Sequence, residues 1–265
     1  MELESRCDDV FGTSVHSRVG GLGPPIVLVH GYAISGRYFL PLAELLAPDH
    51  ETYVPDLPAV SGGIGGLARL LGDWMETVGL ARPMIVANSL GTQVVTELAA
   101  RKPEHVGPLV LIGPTVEPQK RNAPRQAFGA LRDATREPMS LLGLVAKDGP
   151  RFDIRQLMKA ARAALADRME DRLPLIEQRT VVVHGERDGF VSLEWAEEVA
   201  SLLPRGRLVV APGAPHAVHF AQPEFVAGVV RDLVAEELEH AGSQVVRRLP
   251  HRDVPAGELH EAGVG

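Results

Sequence analysis

Short apolar runs rich in Val, Leu and Ile alternate with longer amphipathic stretches along most of this chain, a pattern that predicts βαβ units around a mostly parallel sheet. Runs at Pro25–His30, Met84–Asn88, Leu109–Gly113, Thr180–His184 and Arg207–Ala211 are solidly apolar, as expected of strands covered on both faces. A shorter run, Thr52–Pro55, adds a strand. Helical periodicity places helices at Tyr38–Leu46, Ile64–Val78, Thr92–Arg101, Leu193–Leu203 and Pro223–Glu239. From Thr115 to about Gln178 the alternation stops. This stretch reads as several helices punctuated by Pro124, Pro138, Gly149-Pro150 and Pro174, with Ala127–Arg136 and Ile154–Arg168 as the clearest. Beyond Ala241 the chain turns to Gly, His, Pro, Arg and Glu without apolar periodicity, which predicts a flexible tail over 241–265.

At 265 residues, with 45% apolar and 23% charged residues, the chain fits one soluble domain carrying an insert. A net charge of −7 removes the electrostatic basis for general nucleic-acid binding. Cys7 is the single cysteine, so no intrachain disulfide forms. Acidic residues stand where a signal peptide needs basic ones, and no uncharged apolar run reaches membrane-spanning length. A cytoplasmic protein without a membrane partner is expected. The ten histidines show no metal-ligand spacing, and Gly62-Gly63-Ile64-Gly65-Gly66 lacks a dinucleotide fingerprint and reads as a flexible loop. No metal and no cofactor is implied.

The candidate chemistry centres on Ala87-Asn88-Ser89-Leu90-Gly91, between an apolar strand and a helix. A serine on so tight a turn needs small residues two before and two after it, here Ala87 and Gly91. The helix then points its N-terminal N–H groups at the place where an oxyanion forms during attack on a carbonyl. An ordinary helix cap would also explain Asn88-Ser89. What decides between the two is a base and a carboxylate at other strand ends. Asp188 follows the strand Thr180–His184, and His216 follows the strand Arg207–Ala211. In a parallel sheet Ser89, Asp188 and His216 collect at one edge.

The order Ser, Asp, His is that of the α/β-hydrolases, and the chain resembles that superfamily, in its serine-nucleophile branch, from about Pro25 to Glu239. The resemblance is carried by His30-Gly31-Tyr32, Asp56-Leu57-Pro58, Ala87-Asn88-Ser89-Leu90-Gly91, Gly185-Glu186-Arg187-Asp188 and Pro215-His216-Ala217-Val218-His219. It implies an α/β-hydrolase fold: a core over 1–114 and 179–240, with helices on both faces of the sheet, and a helical cap over 115–178. Ser89 would be the nucleophile, His216 the base and Asp188 the acid that orients it. The oxyanion would be held by the backbone N–H of Leu90 and, by resemblance, that of Tyr32.

Glu186 is a competing acid and His219 a competing base. Asp56 and His30 read as structural loop residues, and His184 as a strand-end histidine. Serine in place of aspartate argues against the alkyl-enzyme chemistry of haloalkane dehalogenases and epoxide hydrolases, which resemble this fold. The expected activity is therefore hydrolysis of a small-molecule carboxylic ester, lactone or thioester. Carbon–carbon bond hydrolysis and non-catalytic ligand binding are the alternatives. Phe128, Leu131, Leu141, Leu144, Phe152, Leu157 and Met158 are candidate pocket residues. Between Thr115 and Ile176 there are 12 Lys and Arg against 8 Asp and Glu, an excess that either faces solvent or favours an anionic substrate.

Overall fold

The apolar runs form the centre of a single eight-stranded sheet of order β1-β2-β4-β3-β5-β6-β7-β8. This is a computed structural model that describes residues 3–31, 33–58, 61–148 and 153–248, with backbone alone at 123, 125–128, 130 and 241–248. The strands are β1 (Glu4–Val10), β2 (Thr13–Gly20), β3 (Pro25–Val29), β4 (Glu51–Asp56), β5 (Met84–Asn88), β6 (Leu109–Ile112), β7 (Thr180–Gly185) and β8 (Gly206–Ala211). From β4 to β8 all pairings are parallel, while β1 and β2 form an antiparallel hairpin on one edge. That hairpin is absent from the sequence expectation because only Val15, Ser17 and Val19 of β2 face inward and β1 is largely exposed. Its turn is Phe11-Gly12, with φ of 49° and 82°, the paired positive values of a two-residue hairpin turn.

Alternate residues of the central strands supply two cores. Val27, Val29, Ile85, Leu109, Leu111 and Val182 face α2 (Gly63–Thr77), α3 (Leu90–Arg101) and α8 (Leu193–Leu202), packing with Leu71, Trp74, Val95 and Trp195. Ile26, Leu28, Val86, Val110, Val181 and Val183 face α1 (Leu40–Leu46) and α10 (Pro223–Arg248), packing with Leu42, Leu46, Val226 and Val230. Double-sided burial is why these strands read as unbroken apolar runs. Two boundaries differ in ways that matter. Gly63 to Gly66 open α2 instead of forming a loop, and α10 continues to Arg248, into the stretch read as a tail. Residues 249–265 lie outside the described residues.

Between β6 and β7 stand α4 (Ala123–Ala134), α5 (Met139–Asp148), α6 (Ile154–Ala166) and α7 (Met169–Arg172). Pro138, just before α5, separates it from α4, and Asp153 caps α6 by accepting from the Arg155 N–H at 2.6 Å. The far end of this insertion is tied to α3 by Arg172, whose Nη2 donates to the Gln93 carbonyl at 2.9 Å and to Asp167 Oδ2 at 2.7 Å. Among the described residues, no helix is long and apolar enough to cross a membrane.

Leu111 sits at the middle of the sheet with no exposed surface. Leu111→Ala is expected to cost about 2–5 kcal/mol in urea-unfolding free energy. A loss below about 1 kcal/mol would contradict the close packing described.

Candidate active site

The register brings Ala87 beside Val29 and Leu111, and Asn88 beside Ile112, so Ser89 is the first residue beyond the sheet's edge. Helix α3 begins at the very next residue, two positions earlier than periodicity predicts. This abrupt reversal puts Ser89 at φ 56°, ψ −125°, a conformation L-residues rarely adopt. The Ser89 N–H donates to the Ile112 carbonyl at 3.0 Å. Asn88 holds the turn from behind. Its Nδ2 donates to the Ile112 and His216 carbonyls at 3.1 and 3.4 Å, and its Oδ1 accepts from the Tyr38 hydroxyl at 3.0 Å. Tyr38 Oη in turn accepts the Gly31 N–H at 2.6 Å, so one hydrogen-bonded chain joins the serine turn to the His30-Gly31 loop. Leu90, as the first residue of α3, has an N–H with no partner inside the helix.

Asp188 is fully buried in the loop after β7. Its Oδ1 accepts the N–H groups of Phe190 and Val191 at 2.7 and 2.8 Å, and its Oδ2 accepts from His216 Nδ1 at 2.8 Å. Burial alone would raise the Asp188 carboxyl, but the His216 charge and these hydrogen bonds outweigh it and hold the group below its usual range. Burial likewise opposes charge on His216. There the Asp188 charge and hydrogen bond, with help from Asp133 and Glu137, win and push the imidazole up to about 9. With Nδ1 committed to Asp188, His216 Nε2 is the atom left buried without a partner. Glu186, the competing acid, is turned away and accepts the Gly213 N–H at 2.7 Å.

A strained serine at a strand-to-helix turn and a buried Asp–His pair thus stand at the same end of a parallel sheet. Residues 26–229 match the model of the alpha/beta hydrolase family. The chain belongs to this family. Two relatives share the name pimeloyl-[acyl-carrier protein] methyl ester esterase. The one from Vibrio vulnificus (strain YJ016) is 24% identical, covering 81% of this chain and 95% of the relative. The one from Aromatoleum aromaticum is 26% identical, covering 80% and 98%. Among solved structures, E-2-(acetamidomethylene)succinate hydrolase is similar with a TM-score of 0.77 and 21% identity, over 88% of this chain and 99% of that one.

In this alpha/beta hydrolase His30, His184 and His219 are buried within the fold. His30 Nε2 accepts the Leu57 N–H at 2.9 Å, which leaves Nδ1–H to donate to the Gly31 carbonyl at 2.8 Å. Burial keeps its pKa low. His219 is completely buried, stacked on Phe39 at 4.0 Å and edge-on to Tyr38 at 4.4 Å, and burial drives it well below the usual imidazole range. His184 is a buried strand residue held low for the same reason. Asp56 accepts from Gly36 N–H at 2.6 Å and from Arg18 Nη1 at 3.1 Å, a structural clasp of the strand end. Tyr32, the second expected oxyanion donor, lies outside the described residues. Among the described residues, no group of three or more His, Cys, Asp or Glu could hold a metal.

Ser89 and His216 open into a cavity of about 300 Å³ that Leu141, Leu142 and Val145 close from α5 and Phe190 closes from the β7–α8 loop. Among the described residues of the expected lining, Leu141 alone is present there. Leu131 and Met158 are 69% and 51% exposed because α4 and α6 turn those faces to solvent, and Leu144 is half-buried against the core beneath α1 and α10. Leu157, half-buried on α6, does not border the cavity either. The side chains of Phe128 and Phe152 lie outside the described residues.

Phe190, missed in the sequence, packs edge-on to His216 with ring centroids 5.1 Å apart. Gly113 was also missed as a site residue. At φ 52° it leaves room for the pair, since a Cβ there would come within 2.6 Å of His216 Cε1 and 2.7 Å of Nδ1. Its only signal in sequence is a glycine ending an apolar run before Pro114. Gly113→Ala is expected to leave the far-UV circular dichroism intact while removing the strongly downfield proton resonance of the His216–Asp188 hydrogen bond. Retention of that resonance would contradict the tight packing over the pair.

Proposed function

We propose that this protein is a serine hydrolase that cleaves a small-molecule carboxylic ester, lactones and thioesters being the same chemistry, through an acyl-enzyme on Ser89. One observation carries the reading: a serine in a strained strand-to-helix turn faces the same cavity as a histidine whose far nitrogen is bound to a buried carboxylate. Ser89 Oγ attacks the carbonyl and His216 Nε2 takes its proton. His216 then returns the proton to the leaving alcohol, and a water repeats the cycle to release the acid. Asp188 fixes the imidazole with Nδ1 protonated and stabilises its charged form. The Leu90 N–H, backed by the dipole of α3, holds the oxyanion, with Tyr32 N–H as its partner by family resemblance.

The esterase names of the relatives support ester cleavage. The insertion over 115–178 acts as a cap on the core, a reading supported by the cavity being walled from both sides. A cytoplasmic setting agrees with the lone cysteine, Cys7, being exposed.

With p-nitrophenyl esters of short acids, Ser89→Ala is expected to lower kcat by about four orders of magnitude or more. Asp188→Asn should lower it by about 10³–10⁴-fold. Equal hydrolysis by wild type and Ser89→Ala would contradict the proposal. The base works only when neutral, and its pKa is raised to about 9. kcat/KM is therefore expected to climb from neutral pH toward pH 9, and a profile already flat at pH 7 would contradict the carboxylate environment assigned to His216.

A further inference from the structure

Asp133 lies in the last turn of α4, where a negative side chain meets the negative end of the helix dipole and is disfavoured. It is 94% shielded from solvent all the same, at 6% exposure. What offsets both costs is a pair of donors from the core. Asp133 Oδ1 accepts the Gly189 N–H at 3.1 Å and the His216 N–H at 3.3 Å. One oxygen therefore grips the residue after Asp188 and the residue proposed as base, two loops separated by more than twenty residues of sequence.

The contact is built to be close. A Cβ at Gly189 would come within 2.9 Å of the Asp133 backbone nitrogen, and a Cβ at Gly129 would come within 3.2 Å of the Phe190 ring. Both glycines let α4 settle directly on the Asp188 loop. A second carboxylate repeats the arrangement, since Glu137 Oε1 accepts the Ala217 N–H at 2.7 Å.

We propose that Asp133 is a positioning residue of the cap, holding the loops of Asp188 and His216 in register so that the base is correctly placed only when the cap is seated. Its hydrogen bonds go to backbone N–H groups and not to the reacting atoms, so it acts through His216. The proposal rests on the hydrolase reading for its chemistry. The charged and titratable groups facing His216 are Asp188 from the β7–α8 loop, Asp133 and Glu137 from the cap, His184 from β7 and His219 from α9 (Val218–Ala221). Arg136, the nearby cation of the same segment, is directed elsewhere and donates to the Arg187 carbonyl at 2.7 Å. Burial first, then the Asp133 carboxylate, holds Glu137 well above the usual carboxylate range, while the Ala217 N–H and His216 pull the other way. The Asp133 charge also favours the protonated form of His216.

Geometry and charge separate in two variants. Asp133→Asn keeps an oxygen able to accept both N–H groups and loses the charge, whereas Asp133→Ala loses both. The readout is the rate at which a dialkyl fluorophosphate modifies Ser89 between pH 5 and 10, followed by intact-protein mass, beside the His216 ring titration by NMR. Asp133→Ala is expected to react at least about tenfold more slowly than wild type at every pH, as displaced catalytic groups do. Asp133→Asn should react within a few-fold of wild type at high pH, with its acid limb and its His216 titration moved to lower pH.

Wild-type rates and an unmoved limb in both variants would overturn the proposal, as would an Asp133→Asn protein as slow as Asp133→Ala with an unmoved titration. If Asp133→Ala does not fold, the limb of Asp133→Asn decides. A folded wild type that the reagent does not label at Ser89 would instead overturn the hydrolase reading, and the ring titration would still judge Asp133.

Discussion

Everything at this site depends on one tight reversal, the turn that carries the chain from β5 into α3 through Ser89. The left-handed backbone there costs on the order of 1–3 kcal/mol, so the surroundings must enforce it. Enforcement comes from the Ser89 N–H bonded to Ile112 and from Asn88, which ties the turn to the Ile112 and His216 carbonyls and to Tyr38. The price is proximity. A Cβ on Gly91 would lie 2.6 Å from the Val29 carbonyl, so α3 starts against the end of β3 and the His30-Gly31 loop is brought over the serine. Strain, glycine placement and the position of the His30-Gly31 loop are consequences of the same turn.

The sequence pattern foretells the central strands well because burial on both faces makes them uniformly apolar, and their order of use then collects Ser89, Asp188 and His216 at one edge. It fails where structure depends on one-sided or long-range contacts. The β1–β2 hairpin is a polar edge whose inward positions include Ser17 and whose anchoring bond, Trp74 Nε1 to Asp8 Oδ2 at 3.0 Å, spans distant segments. Gly113 and Phe190 act through shape around His216, and apart from Gly113 ending an apolar run nothing local in their sequence announces it. Leu131 and Met158 fit an apolar lining by residue type, yet helix orientation decides exposure, and only tertiary packing fixes orientation.

Charge in the insertion shows the same limit. Its excess of Lys and Arg reads in sequence as either a solvated face or a preference for anions, and in the structure Arg168 pairs with Asp171, Arg172 with Asp167 and Arg121 with Glu170. Among the described residues, the titratable side chains it turns toward the cavity are Asp133 and Glu137. Together with Asp188 they surround His216 with carboxyl groups that raise its imidazole. Composition gives the sign of the whole segment, whereas the cavity meets the few groups that face inward.

The central claim is that an acyl group passes through Ser89. An aryl carbamate tests it most directly, because a carbamoyl-serine hydrolyses slowly enough to accumulate and be weighed. The account predicts one carbamoyl group per chain, found by peptide mass mapping on the peptide containing Ser89, with phenol release matching its formation. Phenol released without an adduct, or an adduct on another residue in the folded protein, would contradict it.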